Sequence, residues 1–458
     1  MIVFTLGLTW TLAVLLSLLD GRKHPVGGIA LGGLAAGFAG LLVLGWEVFT
    51  NGPVTMVAGG WPPGVGITLR ADALGVTFAV LSVGVILIAL AYEAVSGIES
   101  RTFPALAMFM AAGLTGLFLT GDAFNFYVFF EIAMIAAYAL TGYGERARQL
   151  RAAFIFAVVN LLGSVLFLIG VGALYHLTGT LDMRMIAERV AAAQPNAALL
   201  TAVAIFVAFS LKLGLFPFHY WLPAVYTGVR PSVAAMLSGA LANIGSYGLL
   251  RFGGELLPQE LEMGATALFV LGTTSIIYGA LQAVSRRTMT EVLAYSAIGQ
   301  VGYILIALGI GGPVGFAAAV VYAIINSLNK LLLFLAAGLR GWMVGAAFAV
   351  GAFSVAGVPP AAGFLGKLVL FQASLAVESV ALVALIFIGG ALSFVYSFQI
   401  YQRVFWKPQA RAYKISPSTA RLLVAGVAGL LLFAGAWPEP LLALGQRAAA
   451  AVLLGGAP

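Results

Sequence analysis

The chain has 458 residues, 62% of them hydrophobic and only 9% charged, with a formal net charge of +7 at pH 7. That composition excludes a soluble globular domain, and the scattered basic residues, which form no patch interleaved with aromatics, argue against nucleic acid as a partner. With no cysteine and only three scattered histidines (His24, His176, His219), the chain offers no disulfide, thiolate zinc site, iron–sulfur ligation or bis-histidine haem, and no cofactor is expected.

Apolar stretches of about 20 residues, enough to cross a hydrocarbon core of roughly 30 Å, recur throughout. They predict an all-α integral membrane protein of about fourteen spans, near 2–19, 27–50, 73–93, 102–120, 122–142, 151–175, 198–222, 229–252, 263–284, 289–310, 313–339, 342–377, 380–405 and 418–445. The first, "MIVFTLGLTWTLAVLLSLLDGRK", lacks a basic leader and a small-residue cleavage site and reads as a span, not a signal peptide. Fifteen Lys and Arg, from Arg22 to Arg421, fall in loops after odd-numbered spans. Five (Arg70, Arg184, Arg189, Arg251 and Arg447) fall on the opposite side. By the positive-inside rule both termini lie outside the cytoplasm, in a bacterial or archaeal cell membrane.

In chain order, span 5 carries Glu131 inside "NFYVFFEIAMIAAYALTG", where a charge costs about 2.5 to 3.5 kcal/mol at a bilayer centre. It is either a functional acid or one kept neutral, or paired, to hold the bundle. Span 7 reads "SLKLGLFPFHYWLP" (210–223), with Lys212 just before Pro217 and Pro223 and with His219 between those prolines. Lys212 is a proton-exchanging amine or a snorkelling one, and His219 a proton-access residue or an interfacial imidazole. In span 11, Tyr322, Asn326 and Lys330 fall four residues apart on one helical face, as a hydrogen-bonded seam or a hydrated proton wire. Span 12, "SVAGVPPAAGFLGKLVLF", sets Lys367 after Pro359, Pro360 and Gly363, as the end of a relay or a cap on carbonyls freed at the break. Its "GFLGK" lacks the spacing and hydroxyl of a phosphate loop.

Proline removes backbone donors, and unwound backbone at membrane depth survives only inside protein or beside water. Two interrupted spans five apart, each with a lysine at its break, predict inverted repeats. The expected organisation is spans 1–3 in 1–101, a first repeat in 102–252, a second inverted repeat in 263–405, and a cytoplasmic loop with the last span in 406–458. Nucleophile elbows, zinc-ligand spacings and dinucleotide glycine fingerprints are missing, so no catalytic site of its own is expected.

The stretches "GGWPPGVGITLRADALG" (59–75), "FLTGDAFNFYVFFEIAMIAAYAL" (118–140), "LTGTLDM" (177–183), "LKLGLFPFHYWLP" (211–223), "LAYSAIGQVGY" (293–303) and "AGVPPAAGFLGKL" (356–368) resemble, in order and over nearly the whole chain, the antiporter-like subunits of respiratory complex I and of the Mrp Na+/H+ antiporters, the D-type Mrp subunit above all. The resemblance implies fourteen helices, two inverted five-helix repeats with broken helices 7 and 12, and a hydrated axis of buried charges. It pairs Glu131 with Lys212, and matches Lys330 and Lys367 to the lysines of helices 11 and 12. Departures are Asn243 where a lysine is common, Tyr322 and Asn326 in place of histidines, and Gln300 for a histidine of complex I relatives. Asn and Tyr orient water but hold no excess proton near neutral pH.

The reading that follows is a proton-translocating subunit of a multisubunit Na+/H+, or other monovalent cation/proton, antiporter. Its partners would be other membrane subunits, protons, a monovalent cation and the lipid bilayer. The alternatives are a pumping subunit of a complex I-like NADH:quinone oxidoreductase or membrane-bound hydrogenase, and a non-conducting structural subunit.

Overall fold

The computed structural model describes residues 1–62, 64–144, 146–406 and 418–454. Lys407, Arg411 and Lys414, part of the expected basic face, lie outside the described residues. Among those described, eleven helices are long and apolar enough to cross a membrane, and Ile2–Ser17, Phe103–Phe118, Trp342–Ala356 and Gly363–Ala376 are shorter apolar helices. Spans 8, 10 and 11 are buried over 94%, 83% and 94% of their most apolar stretch, against 39% for spans 2 and 9. The helices carrying Asn243, Gln300 and Lys330 therefore form the middle of the bundle.

Helix ends follow their capping residues. The side chains of Asp72, Asp122, Asp182, Thr288 and Ser379 each accept a hydrogen bond from a backbone N–H in the first turn they precede. Span 7 ends its first half, Pro195–Leu213, at Gly214, and span 12 ends its first half, Trp342–Ala356, at Gly357; both glycines are left-handed, with φ of 66° and 81°. The chains resume as helix at Trp221 and Gly363. Span 8, Pro231–Leu256, contains two π-helical stretches, Leu237–Leu241 and Leu249–Leu256, on either side of Asn243.

One expectation is corrected. The stretch 418–445 is not one continuous helix: Ser418–Ala436 is followed by a second helix, Glu439–Leu454, because Pro438 and Pro440 withdraw two backbone donors at the junction. Arg251, counted with the basic residues of the opposite side and at the end of the expected span 229–252, lies inside span 8 and is 2% exposed.

The connection between spans 2 and 3 contains a hairpin that periodicity did not reveal, strand Val54–Val57 against Thr68–Ala71, with Val54 opposite Ala71. Arg70 N–H donates to Leu119 C=O (2.8 Å), Gly121 N–H to Thr68 C=O (2.8 Å) and Met183 N–H to Gly121 C=O (2.8 Å). The first three family-like stretches thus meet as one backbone-bonded layer at the end of the bundle opposite the arginine-rich loops.

Candidate functional site: a chain of buried lysines

Lys212 sits in the last turn before the break of span 7 and is 6% exposed. Its ammonium donates to Asn160 C=O (2.9 Å) and Ser164 Oγ (3.2 Å) on span 6, and lies 4.2 Å from the centre of the Phe130 ring. Phe130 precedes Glu131, yet Glu131 and Lys212 form no direct ion pair. Glu131 Oε1 is buried with no hydrogen-bond partner, and no ion pair among the described residues involves a lysine. The expected pair is therefore held apart, with one oxygen of the acid unsatisfied and the amine bound to helix oxygens. A cavity of about 10 Å³, lined by Asn160, Lys212, Trp221 and Leu241, adjoins the amine; it has room for about one water.

His219 occupies the turn Phe218–Tyr220 between the two halves of span 7. Its ring stacks on Phe216 and lies 4.5 Å from that of Tyr278. Nδ1 is buried and unpaired, and no hydrogen bond joins it to Lys212.

Asn243 is tied on both sides. Its Nδ2 donates to Ser82 Oγ (3.1 Å) and Gly239 C=O (3.0 Å), and Ser327 Oγ donates to its Oδ1 (2.9 Å), stitching spans 3, 8 and 11. Lys330, 7% exposed, makes no side-chain hydrogen bond or ion pair among the described residues, and Asn326 Oδ1 on the preceding turn is buried without a partner. Tyr322 turns away from that stripe and donates to Gln300 Oε1 (2.5 Å).

Lys367 donates to Ala356 C=O (2.8 Å), a carbonyl left free where span 12 breaks, and lies 5.3 Å from the Tyr303 ring centre. Glycines make its slot. A Cβ on Gly357 would sit 2.4 Å from Lys367 Cδ; one on Gly390 would sit 3.0 Å from Nζ and 3.1 Å from the Ala356 oxygen. The capping geometry is what the break predicts, and it leaves this amine, like the other two, without a counter-charge among the described residues.

Two charged clusters escaped the sequence reading. Arg70, Asp72, Arg251 and Glu255 close a ring: Arg70 to Asp72 (2.9 Å) and Glu255 (2.6 Å), Arg251 to Asp72 (2.8 Å) and to Glu255. Burial alone would push the Asp72 carboxyl up, but Arg251 and Arg70 outweigh it and hold it at about 2. Near the arginine-rich end of span 3, the buried Glu93 accepts from Tyr143 (2.5 Å) and Ser232 (2.5 Å) and pairs with Arg230 (3.2 Å). Span 3 is thereby pinned to span 8 at one end by Asp72–Arg251 and at the other by Glu93–Ser232. Arg251 and Glu255, four apart inside an apolar run, were the available signal.

The family model described as "NADH:quinone oxidoreductase/Mrp antiporter, TM" matches residues 120–393, which takes in Glu131 and all three lysines. The chain belongs to that family. It is 32% identical over 390 residues to the D-type Na(+)/H(+) antiporter subunit of Alkalihalophilus pseudofirmus, covering 80% of this chain and 79% of that one. It shares its fold with a chain of the Mrp complex from Dietzia sp. DQ12-45-1b (TM-score 0.91, 24% identity, 99% and 97% of the two chains). A chain of respiratory complex I from Thermus thermophilus also matches (TM-score 0.85, 25% identity, 99% and 100%). As a family member this is a multi-pass membrane protein, all-helical across the membrane.

Proposed function

We propose that this chain is the proton-translocating subunit of a multisubunit Na+/H+ antiporter in a bacterial or archaeal cell membrane, with fourteen spans, two inverted repeats (102–252 and 263–405) and both termini outside. The observation that carries the reading is the set of three buried amines, Lys212, Lys330 and Lys367, none with a counter-charge in contact among the described residues, together with the unsatisfied carboxylate oxygen of Glu131. Ionisable groups at this depth are costly and mark ion pathways. A lysine can do what an arginine cannot, namely release its proton when desolvated.

In this mechanism Lys212 alternates between Asn160 and Glu131. When the ammonium approaches Glu131 the pair is favoured in its charged form, and when it withdraws to the helix oxygens the carboxylate gains proton affinity. Lys330 relays, Lys367 releases at the far break, and Asn243, Asn326 and His219 orient the hydration between them. The relative named as a D-type component of a Na(+)/H(+) antiporter supports the choice of sodium. A non-conducting role is the competing reading, favoured by Asn243, whose amide is bonded on both sides where a relay would need an exchangeable group.

The test is cation-dependent pH change in everted vesicles carrying the whole complex, with Glu131→Gln beside the parent. Exchange should fall by at least tenfold, about 1.4 kcal/mol or more on the barrier, with unchanged complex on a native gel; undiminished exchange would favour the structural role. A second expectation concerns the glycine slot. Gly390→Ala places a methyl against both the Lys367 ammonium and the Ala356 carbonyl, and should lower exchange and displace its pH optimum, whereas Gly426→Ala, with open space at its Cβ, should change neither.

A further inference from the structure

Below Tyr322 a second set of buried polar groups runs through spans 10 and 13, away from the lysines. Tyr322 donates to Gln300 Oε1. Gln300 Nε2 reaches Ser393 Oγ and Tyr396 OH at 3.5 Å each, Tyr396 OH shares a 2.7 Å hydrogen bond with Ser296 Oγ, and Tyr396 OH also donates to Ser393 Oγ (3.2 Å). All five residues are buried, between 2% and 5% exposed.

The seam has direction. Tyr322 lies fifteen residues from the Ala337 end of its helix, about 22 Å at 1.5 Å per residue. Ser296 lies seven residues from Met289, about 10 Å from the same arginine-rich face. At its upper end the Tyr322 ring packs against Tyr303 (5.1 Å), whose own hydroxyl is buried and unpaired and whose ring lies under the Lys367 ammonium. The seam therefore joins the surroundings of Lys367 to within two to three turns of the basic face.

Four of its five members are hydroxyls, each able to accept a proton on oxygen and pass another on. The fifth is a primary amide at the middle. Either orientation of that amide presents a donor on one side and an acceptor on the other, and neither takes up a proton near neutral pH. We propose that Gln300 is an insulating link. It keeps the seam polar and hydrogen-bonded, while barring protons from short-circuiting between the Lys367 end of the axis and the arginine-rich face.

The inference rests on the proposed antiport only for its purpose, since the leak it predicts is read without any cation exchange. Purified complex in vesicles is given an imposed pH gradient with no counter-cation gradient, and its decay is followed. Gln300→Glu, which supplies a carboxyl able to hand a proton from Tyr322 to Tyr396, should speed the decay several-fold. Gln300→Leu should hold the gradient as the parent does, and adding Tyr396→Phe to Gln300→Glu should restore it. Should Gln300→Glu fail to assemble, Gln300→His carries the same expectation through its imidazole. A decay in assembled Gln300→Glu or Gln300→His complexes equal to the parent's, an equal leak from Gln300→Leu, or a leak indifferent to Tyr396→Phe would overturn the proposal. Cation-dependent exchange in the same parent vesicles reports separately on the antiport.

Discussion

Lys212→Ala should abolish cation-dependent proton exchange while leaving the complex assembled. The side chain ends in a buried ammonium held by two oxygens of span 6 and one aromatic face. Its removal costs about two hydrogen bonds, each worth roughly 1 kcal/mol net or somewhat more to a charged group. Asn160 C=O keeps Ser164 as a partner (3.1 Å), so no buried acceptor is orphaned and the fold should tolerate the change. Transport should not, because Glu131 then faces no mobile charge. Lys212→Arg separates charge from proton exchange: a guanidinium stays protonated, so exchange should again be lost although the charge is kept. Exchange in everted vesicles, normalised to complex on a native gel, decides it; retention of parental exchange by either variant would end the switch model.

The second large effect is on stability. Arg251→Leu should destabilise the protein by about 3 to 5 kcal/mol, the usual cost of breaking a buried ionic network by removing one partner. The ring of Arg70, Asp72, Arg251 and Glu255 is neutral as built, and deleting Arg251 strands negative charge on Asp72 and Glu255, which are 1% and 0% exposed in their side chains. It also frees the end of span 8 from Asp72 at the start of span 3, leaving Arg70–Glu255 as the tie to the hairpin. The double variant Arg251→Leu with Glu255→Leu restores neutrality and should recover part of the loss. Thermal melting of purified complex is the measurement; a single variant as stable as the parent would mean the ring is incidental.

The same ring carries a pH signature. Asp72, held at about 2 against about 3.9 in an unfolded chain, contributes stability that is complete above roughly pH 4 and is lost as pH falls towards 2. In Arg251→Leu that acid loss should shrink, because without the partner that most opposes burial the Asp72 carboxyl moves back up towards its unfolded value.

The spans, both breaks and the three lysines could be read from residue order alone, because each is a local statement. A bilayer requires about 20 apolar residues in a row, proline stops a helix wherever it stands, and a lysine within such a run is conspicuous by its rarity. The family relationship was legible for the same reason, in short stretches around Glu131, Lys212 and Lys367. Partners were another matter. That Lys212 bonds to Asn160, and not to the acid it was expected to meet, depends on how spans 5, 6 and 7 pack. That Tyr322 leaves the stripe of Asn326 and Lys330 for Gln300 depends on spans 10 and 11 lying side by side. Arg251 stood out little at the edge of its span, because four charges, unremarkable one at a time, became a neutral ring only when the hairpin, span 3 and span 8 converged. Hydropathy reports the cost of burying each group alone; whether that cost is met by a charge, a carbonyl or nothing is a property of distances across helices, which no local pattern encodes.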